Sequence, residues 1–347
     1  MRQAVIKHSL PHFCFRLPLN PMLRTSASTL LQYSVTLLAV LILNFTLPRL
    51  APGDPADYLF PPELAGTLTP EQREELMADF ELDGTTWSQF RRYIGGLAQG
   101  DLLLSVRYRQ PVLDVLLERL PWTLLLTGSS LLLTTTIGIG LGFWSAWRRG
   151  QISDVSTLIT VLFIDALPGF FVGMLFILLF SVKLGWFPII GSLAASRATG
   201  VEFWIEAAKR LVMPVVTLTL ATLAPVYLSA RAALISEINE DYLLMAEAKG
   251  LAERQIRRHA QRNALLPLSS IVLLNIGTLV GGATLIETVF SYPGLGVVIF
   301  QGVAARDYPL LQGAFLFMAL AVIGANFIGG LLYPLLDPRL RTPASNA

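Results

Sequence analysis

Charged side chains are scarce in this chain. Only 14% of its 347 residues are Asp, Glu, Lys or Arg, whereas 53% are hydrophobic. A soluble domain usually carries about 25% charged residues. The deficit argues against an ordinary water-soluble globular protein and indicates that a lipid bilayer surrounds much of the chain. The formal net charge of +2 is also too small to suggest a nucleic-acid partner.

Residue types that carry chemistry are few as well. The single cysteine, Cys14, cannot form an intramolecular disulfide, so cysteine usage does not identify a compartment. The three histidines lack the spacing of a metal site, and we predict no metal. None of the four lysines follows a glycine, which excludes the Gly-Lys-[Ser/Thr] sequence of a P-loop. With no nucleophile constellation either, we expect a non-catalytic chain without a cofactor.

The missing charges define six long apolar stretches. A spanning helix needs about 20 apolar residues, and each stretch provides them. Asp165 is the only charge inside any of them. Runs such as Leu175 to Phe180 do not alternate polar and apolar residues, which argues against barrel strands. We therefore predict an all-α integral membrane protein with six transmembrane helices, in the stretches 25–48, 120–147, 155–182, 211–230, 263–286 and 308–336.

The first stretch resembles a signal peptide in position, but not in its ending. Its apolar run is long, and Pro48, Arg49 and Pro52 follow it in place of a small-residue cleavage site. These features favour an uncleaved first span.

Basic residues in the short connections predict the orientation. Cytoplasmic loops are rich in Lys and Arg. With six spans, the basic tail and basic connections fall on one side, which places both termini in the cytoplasm. The tails would comprise residues 1–27 and 336–347, and the basic residues are Arg2, Lys7, Arg16 and Arg24, then Arg148 and Arg149, six residues from Arg231 to Arg262, and finally Arg339 and Arg341.

Residues 51–118 would then form a small extracytoplasmic helical segment. Thr69, Pro70 and Gln72 have the pattern of a capped helix start. Apolar residues then recur at helical spacing, which predicts a helix that packs on the membrane face or docks an outside partner. Together with the first span this segment covers residues 28–118, and the main transmembrane domain covers 119–335. The recurring residues are Trp87, Phe90, Tyr93, Ile94 and Leu97.

Residues 231–267 form the longest cytoplasmic connection. Ala246 and Gly250 are four residues apart and would share a helix face, where small side chains permit close approach of another backbone. A second helix could run from Leu251 to Ala264, with a basic stripe at Arg254, Arg258 and Arg262 and the fifth span entered at Pro267. By pattern alone, a basic amphipathic helix of this kind is more often bound to anionic headgroups than presented to another protein.

A resemblance decides between these interpretations. The loop resembles the coupling loop of ABC permeases, in the form found in the dipeptide/oligopeptide/nickel family. Lys249 stands where the general pattern has alanine, and the run from Gly250 to Pro267 is long, as in the peptide class. Segments 51–56, 287–296 and 306–309 also resemble that family, although Leu103 replaces a usual glycine. The coupling residues would be Ala246, Glu247, Ala248, Lys249, Gly250 and Leu251.

The resemblance implies a type-1 ABC importer permease in the bacterial inner (plasma) membrane. Its expected partners are a second homologous permease, two ATP-binding subunits that each hold one coupling loop, and an extracytoplasmic solute-binding protein. The chain would form half of a translocation path for dipeptides or oligopeptides, or alternatively for nickel or another small solute. An ion-coupled secondary transporter would instead need several paired intramembrane charges, and a receptor or scaffold would leave the coupling loop unexplained.

Two acids are candidates for the translocation path. Asp165 lies inside a span just before Pro168 and Gly169, where the helix could break. It could meet a cationic group of the cargo, accept backbone N–H groups freed by the break, or pair with an arginine. Glu287 lies near the outer end of the fifth span, where it could instead hydrogen-bond the following loop, residues 291–296. The glycine run at 138, 140 and 142 indicates close helix packing, because it lacks the context of a nucleotide site.

Overall fold

Helices account for all regular secondary structure in the described residues. The computed structural model describes residues 20–50, 69, 84–191, 199–305 and 307–336. Their only strand-like contact is an isolated bridge between Leu104 and Pro111. The helices are α1 (Asn20–Leu50), α2 (Thr86–Gln99), α3 (Val112–Trp147), α4 (Ile152–Asp165), α5 (Gly169–Phe176), α6 (Val201–Ile238), α7 (Asp241–Ala248), α8 (Glu253–Val289), α9 (Leu295–Ala305) and α10 (Tyr308–Leu336). The predicted all-α class is confirmed, whereas both chain ends and most of 51–83 lie outside these ranges.

Three described helices are long and apolar enough to cross a membrane: α3, α6 and Tyr308–Phe327 of α10. A bent pair of helices is long and apolar enough only when its two parts are taken together. In it, α4 meets α5 and the π-helical turns Ile177–Lys183 that continue α5, at an angle of 92°. The helix ends at Asp165 and begins again at Gly169, because Pro168 lacks a backbone N–H and disfavours helical geometry in the residue before it. The predicted break after Asp165 is therefore confirmed.

The backbones of α3 and α6 approach each other closely in the core. A Cβ atom built on Gly142 would lie 2.7 Å from the carbonyl oxygen of Tyr227 and 2.9 Å from the backbone nitrogen of Arg231. One on Gly138 would lie 2.8 Å from Val226 Cγ1, whereas one on Gly140 would meet nothing within 4 Å. Close packing is thus confirmed for two of the three glycines. Helices associate in this way where small residues let their backbones touch.

The connection into the fifth predicted span differs from expectation. We expected a helix over Leu251–Ala264 and a separate span entered at Pro267, but α8 runs without interruption from Glu253 to Val289 with Pro267 inside it. A proline removes one backbone hydrogen bond, and neighbouring helices can compensate for this loss. The predicted cytoplasmic helix and the predicted fifth span are therefore parts of one continuous helix, α8.

The first and last described helices are joined by an amide network. Asn44 on α1 is buried, and its side-chain amide donates to the carbonyl of Gln312 on α10 over 2.6 Å. The Gln312 amide donates back to the Asn44 carbonyl at 3.2 Å. The α2 helix, capped by Thr85, packs its aromatic rings on the same end of α1, with Phe90 5.1 Å from Phe45 between ring centroids. The helical spacing read from the sequence at 87–97 is confirmed.

Alanine at Gly142 should destabilise the protein. The added methyl group would overlap α6 backbone atoms, and overpacking of this kind costs about 1–3 kcal/mol. Alanine at Gly140 should be neutral or slightly stabilising, since it meets open space and alanine favours helix by about 1 kcal/mol over glycine. Thermal unfolding of both purified variants in detergent measures the difference. Equal melting temperatures would contradict the assigned α3–α6 contact.

Candidate functional site

The sequence motif at 246–251 forms the end of the short helix α7. Gly250 has a φ angle of +76°, a conformation that glycine adopts without strain. Its N–H donates to the carbonyl of Glu247 at 2.8 Å, and the N–H of Leu251 donates to the carbonyl of Ala246 at 3.2 Å. These two bonds define a Schellman cap, which satisfies carbonyls that the helix end leaves unpaired. The motif therefore fixes how the chain leaves α7 and enters α8.

A single leucine anchors α7 to the rest of the protein. Leu243 is buried in a cluster that joins the ends of α3, α6 and α8. A displacement of α7 would therefore disturb contacts to three long helices, of which α3 and α6 are apolar enough to cross a membrane. The buried members are Phe143, Ala146, Ala230, Leu234, Leu243, Ala260, Ala264 and Leu268.

The rest of α7 faces outward. Leu244 and Met245 are 64% and 60% exposed, and Glu247, Ala248, Lys249 and Gly250 are exposed as well. Two adjacent exposed apolar side chains beside a charged rim are typical of a protein-binding surface. The sequence interpretation missed Leu244 and Met245 because they precede the motif, although an unbroken apolar pair in a charged loop could have indicated them.

Polar contacts brace both ends of the loop. Tyr242 donates to Glu237 Oε2 at 2.6 Å, and partial burial of the ring, followed by this hydrogen bond, raises the pKa of Tyr242 to about 12. On α8, Arg257 lies 4.8 Å from the Trp147 ring centroid and pairs with Glu253 at 2.6 Å. The stripe of Arg254, Arg258 and Arg262 is exposed.

Asp165 is exposed at the corner between α4 and α5. Among the described residues its side chain has no hydrogen bond or ion pair. The pairing with an arginine, one of the three alternatives, is therefore not observed there. The exposed corner leaves its carboxylate free to contact a group outside this chain.

Glu287 is in a different situation, because it has no exposed surface. Its carboxyl group accepts hydrogen bonds from Thr123 Oγ1 at 2.7 Å and from the N–H of Gly296 at 2.6 Å. Thr123 Oγ1 in turn accepts from the N–H of Leu295 at 2.8 Å. A Cβ atom on Gly294 would lie 2.3 Å from this carboxyl group, which explains the glycine there. Glu287 thus binds the loop after α8 to α3, as its predicted loop contact requires.

A second buried acid organises the same side of the fold. Asp307 caps α10 by accepting from the N–H of Leu310 at 3.1 Å. Its other carboxylate oxygen accepts from Ser105 Oγ at 2.5 Å and from the N–H of Arg107 at 3.0 Å. Asp307 lies in the segment 306–309 that carries the family resemblance, and its contact with Ser105 places the segment before α3 against the start of α10. The described residues contain no group of three or more potential metal ligands.

The described residues form an all-helical structure with helices apolar enough to cross a membrane, and with a short, largely exposed helix, α7, between the long helices α6 and α8. The family model "Binding-protein-dependent transport system inner membrane component" matches residues 138–342, more than half of the chain. The chain belongs to this family of permeases.

Curated relatives cover nearly the whole chain. The di/tripeptide transport system permease protein DppB of Pseudomonas aeruginosa is 34% identical, over 88% of this chain and 95% of the relative. The dipeptide permease DppB of Escherichia coli and the oligopeptide permease AppB of Bacillus subtilis are each 33% identical over the same shares. Among solved structures, the inward-facing methionine ABC transporter MetNI matches with a TM-score of 0.52 and 21% identity, over 65% of this chain and 97% of that chain. This structural match supports the importer permease fold.

Loss of the Glu287 contacts should loosen the loop after α8. In Glu287→Gln an amide NH₂ replaces one acceptor oxygen, and in Thr123→Val both hydroxyl contacts disappear. Each change leaves buried groups unpaired, which costs about 1–3 kcal/mol. We expect lower melting temperatures and faster proteolysis within 290–296, measured on purified protein. Glu118→Gln is the control, because Glu118 is mostly exposed and its contact to Arg119 is 3.7 Å long. A shift as large in the control would contradict this interpretation.

Proposed function

We propose that this chain forms half of the translocation path of an ATP-driven importer of dipeptides or oligopeptides. The observation that carries the proposal is the α7 helix, which is anchored by one leucine and exposes an apolar face. The peptide class is supported by the names of the curated relatives in three bacterial species. The chain contains no P-loop sequence, which supports ATP binding by other subunits.

The proposed membrane arrangement has six spans and cytoplasmic termini. The charge-free stretches and the bias of basic residues both support it. In this orientation α7 is cytoplasmic, and α2 and the loops held by Glu287 and Asp307 are extracytoplasmic. A solute-binding protein would deliver cargo on the outer side, and one ATP-binding subunit would hold α7 on the inner side.

In the proposed mechanism, ATP binding moves α7. A second, homologous permease would face this one, with the path between them and its own ATP-binding subunit below. Closure of the two ATP-binding subunits would draw the coupling helices together. The cluster around Leu243 would then carry the motion into α3, α6 and α8, which opens the path outward by rigid-body rocking.

Of the two acids considered for the path, we assign the cargo contact to Asp165. Its exposure at a broken helix favours this role, because irregular backbone at membrane depth usually lines a cavity. A peptide carries a cationic amino terminus that this carboxylate would attract. We assign Glu287 to holding the outer loop.

A bulky side chain at Gly250 should separate transport from ATP hydrolysis. Gly250→Gln meets no steric obstacle, because a Cβ atom there meets nothing within 4 Å, although the positive φ angle adds some backbone strain. The new side chain projects into the proposed ATPase-facing surface. We expect normal membrane levels, lost copurification of the ATP-binding subunits, and uptake reduced at least about tenfold, as for a disrupted hot spot.

Gly185→Gln is the matched control for that experiment. Gly185 has a φ angle of +63° and equally open space, but it lies outside the coupling loop. Backbone strain alone would affect both variants alike. Normal copurification and uptake in Gly250→Gln would contradict the proposed function.

Asp165→Asn should weaken peptide uptake selectively. Loss of a charged hydrogen bond costs about 1.5–3 kcal/mol, so the half-saturating peptide concentration should rise about tenfold or more with assembly unchanged. Asp114→Asn, at an exposed acid in the first turn of α3, should have no effect. Competition of labelled dipeptide uptake by unlabelled peptides and by Ni²⁺ identifies the cargo. Competition by Ni²⁺ alone would contradict the peptide assignment.

A further inference from the structure

A second acid on α4 has a more constrained environment than Asp165. Asp154, in the first turn of α4, is only 2% exposed. Arg231 on α6 donates from Nε to Asp154 Oδ1 and from Nη2 to Oδ2, both at 2.8 Å. The N–H of Gly150 donates to Oδ2 at 3.2 Å. Both carboxylate oxygens are therefore occupied by a fork of two parallel bonds, the geometry that arginine forms with carboxylates most specifically.

Two hydroxyl groups extend this cluster to α3. Ser145 Oγ, in the last turns of α3, hydrogen-bonds Asp154 Oδ1. Tyr227 OH on α6 lies 2.7 Å from the same Ser145 oxygen. Because the carboxylate only accepts, Ser145 donates to it and accepts from Tyr227. The network thus ties three helices together at one end of the bundle.

The network holds an end of α4 that has little other anchorage. Within α4, Asp154 and Val161 are the only buried residues, and Ile152 beside them is 89% exposed. Removing one partner of a buried ion pair leaves the other charge unpaired and is strongly unfavourable. The polar network, more than apolar packing, therefore determines where α4 begins relative to α3 and α6.

The same network lies directly beside the apolar cluster around Leu243, which we call the coupling cluster. Arg231 follows Ala230, and Ser145 precedes Ala146, both of which pack around Leu243 of α7. The α3 and α6 backbones touch at this level, since a Cβ atom on Gly142 would overlap Tyr227 and Arg231. In the other direction, α4 leads to its break at Asp165. The ion pair stands between the coupling helix and the corner assigned to the path.

We propose that Asp154 and Arg231 are positioning residues that fasten α4 to the coupling cluster, so that a displacement of α7 moves α4 and the Asp165 corner with it. The inference rests on the proposed function, because it assigns the element through which that function reaches the path. If the Asp154–Arg231 ion pair only stabilised the fold, it would not affect how ATP hydrolysis is linked to uptake.

Distance measurements in the assembled transporter test this directly. Cys14→Ser removes the only cysteine, so spin labels can be placed at Ile152→Cys on α4 and Glu240→Cys before α7, both at exposed residues. In the otherwise unmodified complex, the distance between the labels should stay within about 2 Å between the nucleotide-free state and the state trapped with ATP and vanadate. A distance from Glu240 to a label on the ATP-binding subunit that holds the second permease should change in the same samples.

Variants of the pair test the link to transport. In Asp154→Asn and Arg231→Gln we expect a broadened, state-dependent Ile152–Glu240 distance, uptake reduced at least about tenfold, and continuing ATP hydrolysis. Arg231→Lys keeps the charge but loses the fork, and should recover part of the uptake. Arg149→Gln removes an exposed arginine nearby and should behave as the unmodified protein.

The outcomes separate this inference from the proposed function. A state-dependent Ile152–Glu240 distance in the unmodified complex would overturn the fastening role, whether or not the variants accumulate in the membrane. The fastening role would also be overturned if uptake and ATP hydrolysis in the variants fell together in proportion to protein level, because an ion pair that only stabilises the fold would have that effect. If the ATP-binding subunits fail to copurify with the unmodified chain, the proposed function and this inference fall together.

Discussion

The close contact of α3 with α6 near Gly142 determines how the end of the helix bundle that carries α7 is arranged. Because the two backbones touch there, the Tyr227 and Arg231 side chains are brought to the level of Ser145 at the end of α3. The apolar cluster around Leu243 occupies the adjoining space. Displacing either helix would disturb both the ion pair of Asp154 and the packing of Leu243. One contact between α3 and α6 therefore supports α7 and the start of α4 together.

Buried acids serve the same purpose at the opposite end. Glu287 and Asp307 each accept hydrogen bonds from backbone N–H groups, at a helix start or in a loop, and from one hydroxyl side chain. A buried polar group is tolerable only when its hydrogen bonds are made, so each acid specifies one position for the loop it holds. The loops on this side are therefore fixed by polar contacts to helix ends, while the middle of the bundle relies on small residues and apolar packing.

The sequence predicted what depends on local chemistry. Charge-free stretches indicate apolar helices because lipid penalises charge wherever it occurs, and α3, α6 and α10 were placed correctly. The 246–251 motif was recognisable by its resemblance to a family pattern, and the positive φ angle of Gly250 explains why a glycine stands in that pattern. Contacts between distant residues were not predictable: Arg231 is 77 positions from Asp154, and no local pattern indicates their pairing. The continuation of α8 through Pro267 also depends on tertiary context, which overrides local preference.

The two acids of α4 illustrate this limit. Asp165 was selected from the sequence because it lies well inside the apolar stretch 155–182. Asp154 was not selected, because it lies just before that stretch. Depth measures how costly a charge is, but a partner decides what the charge does. Asp154 has such a partner and is buried with it, whereas Asp165 is exposed and has none among the described residues. One helix thus carries a fastened acid at its start and a free acid at its break, an arrangement suited to moving the free acid as the fastened end moves.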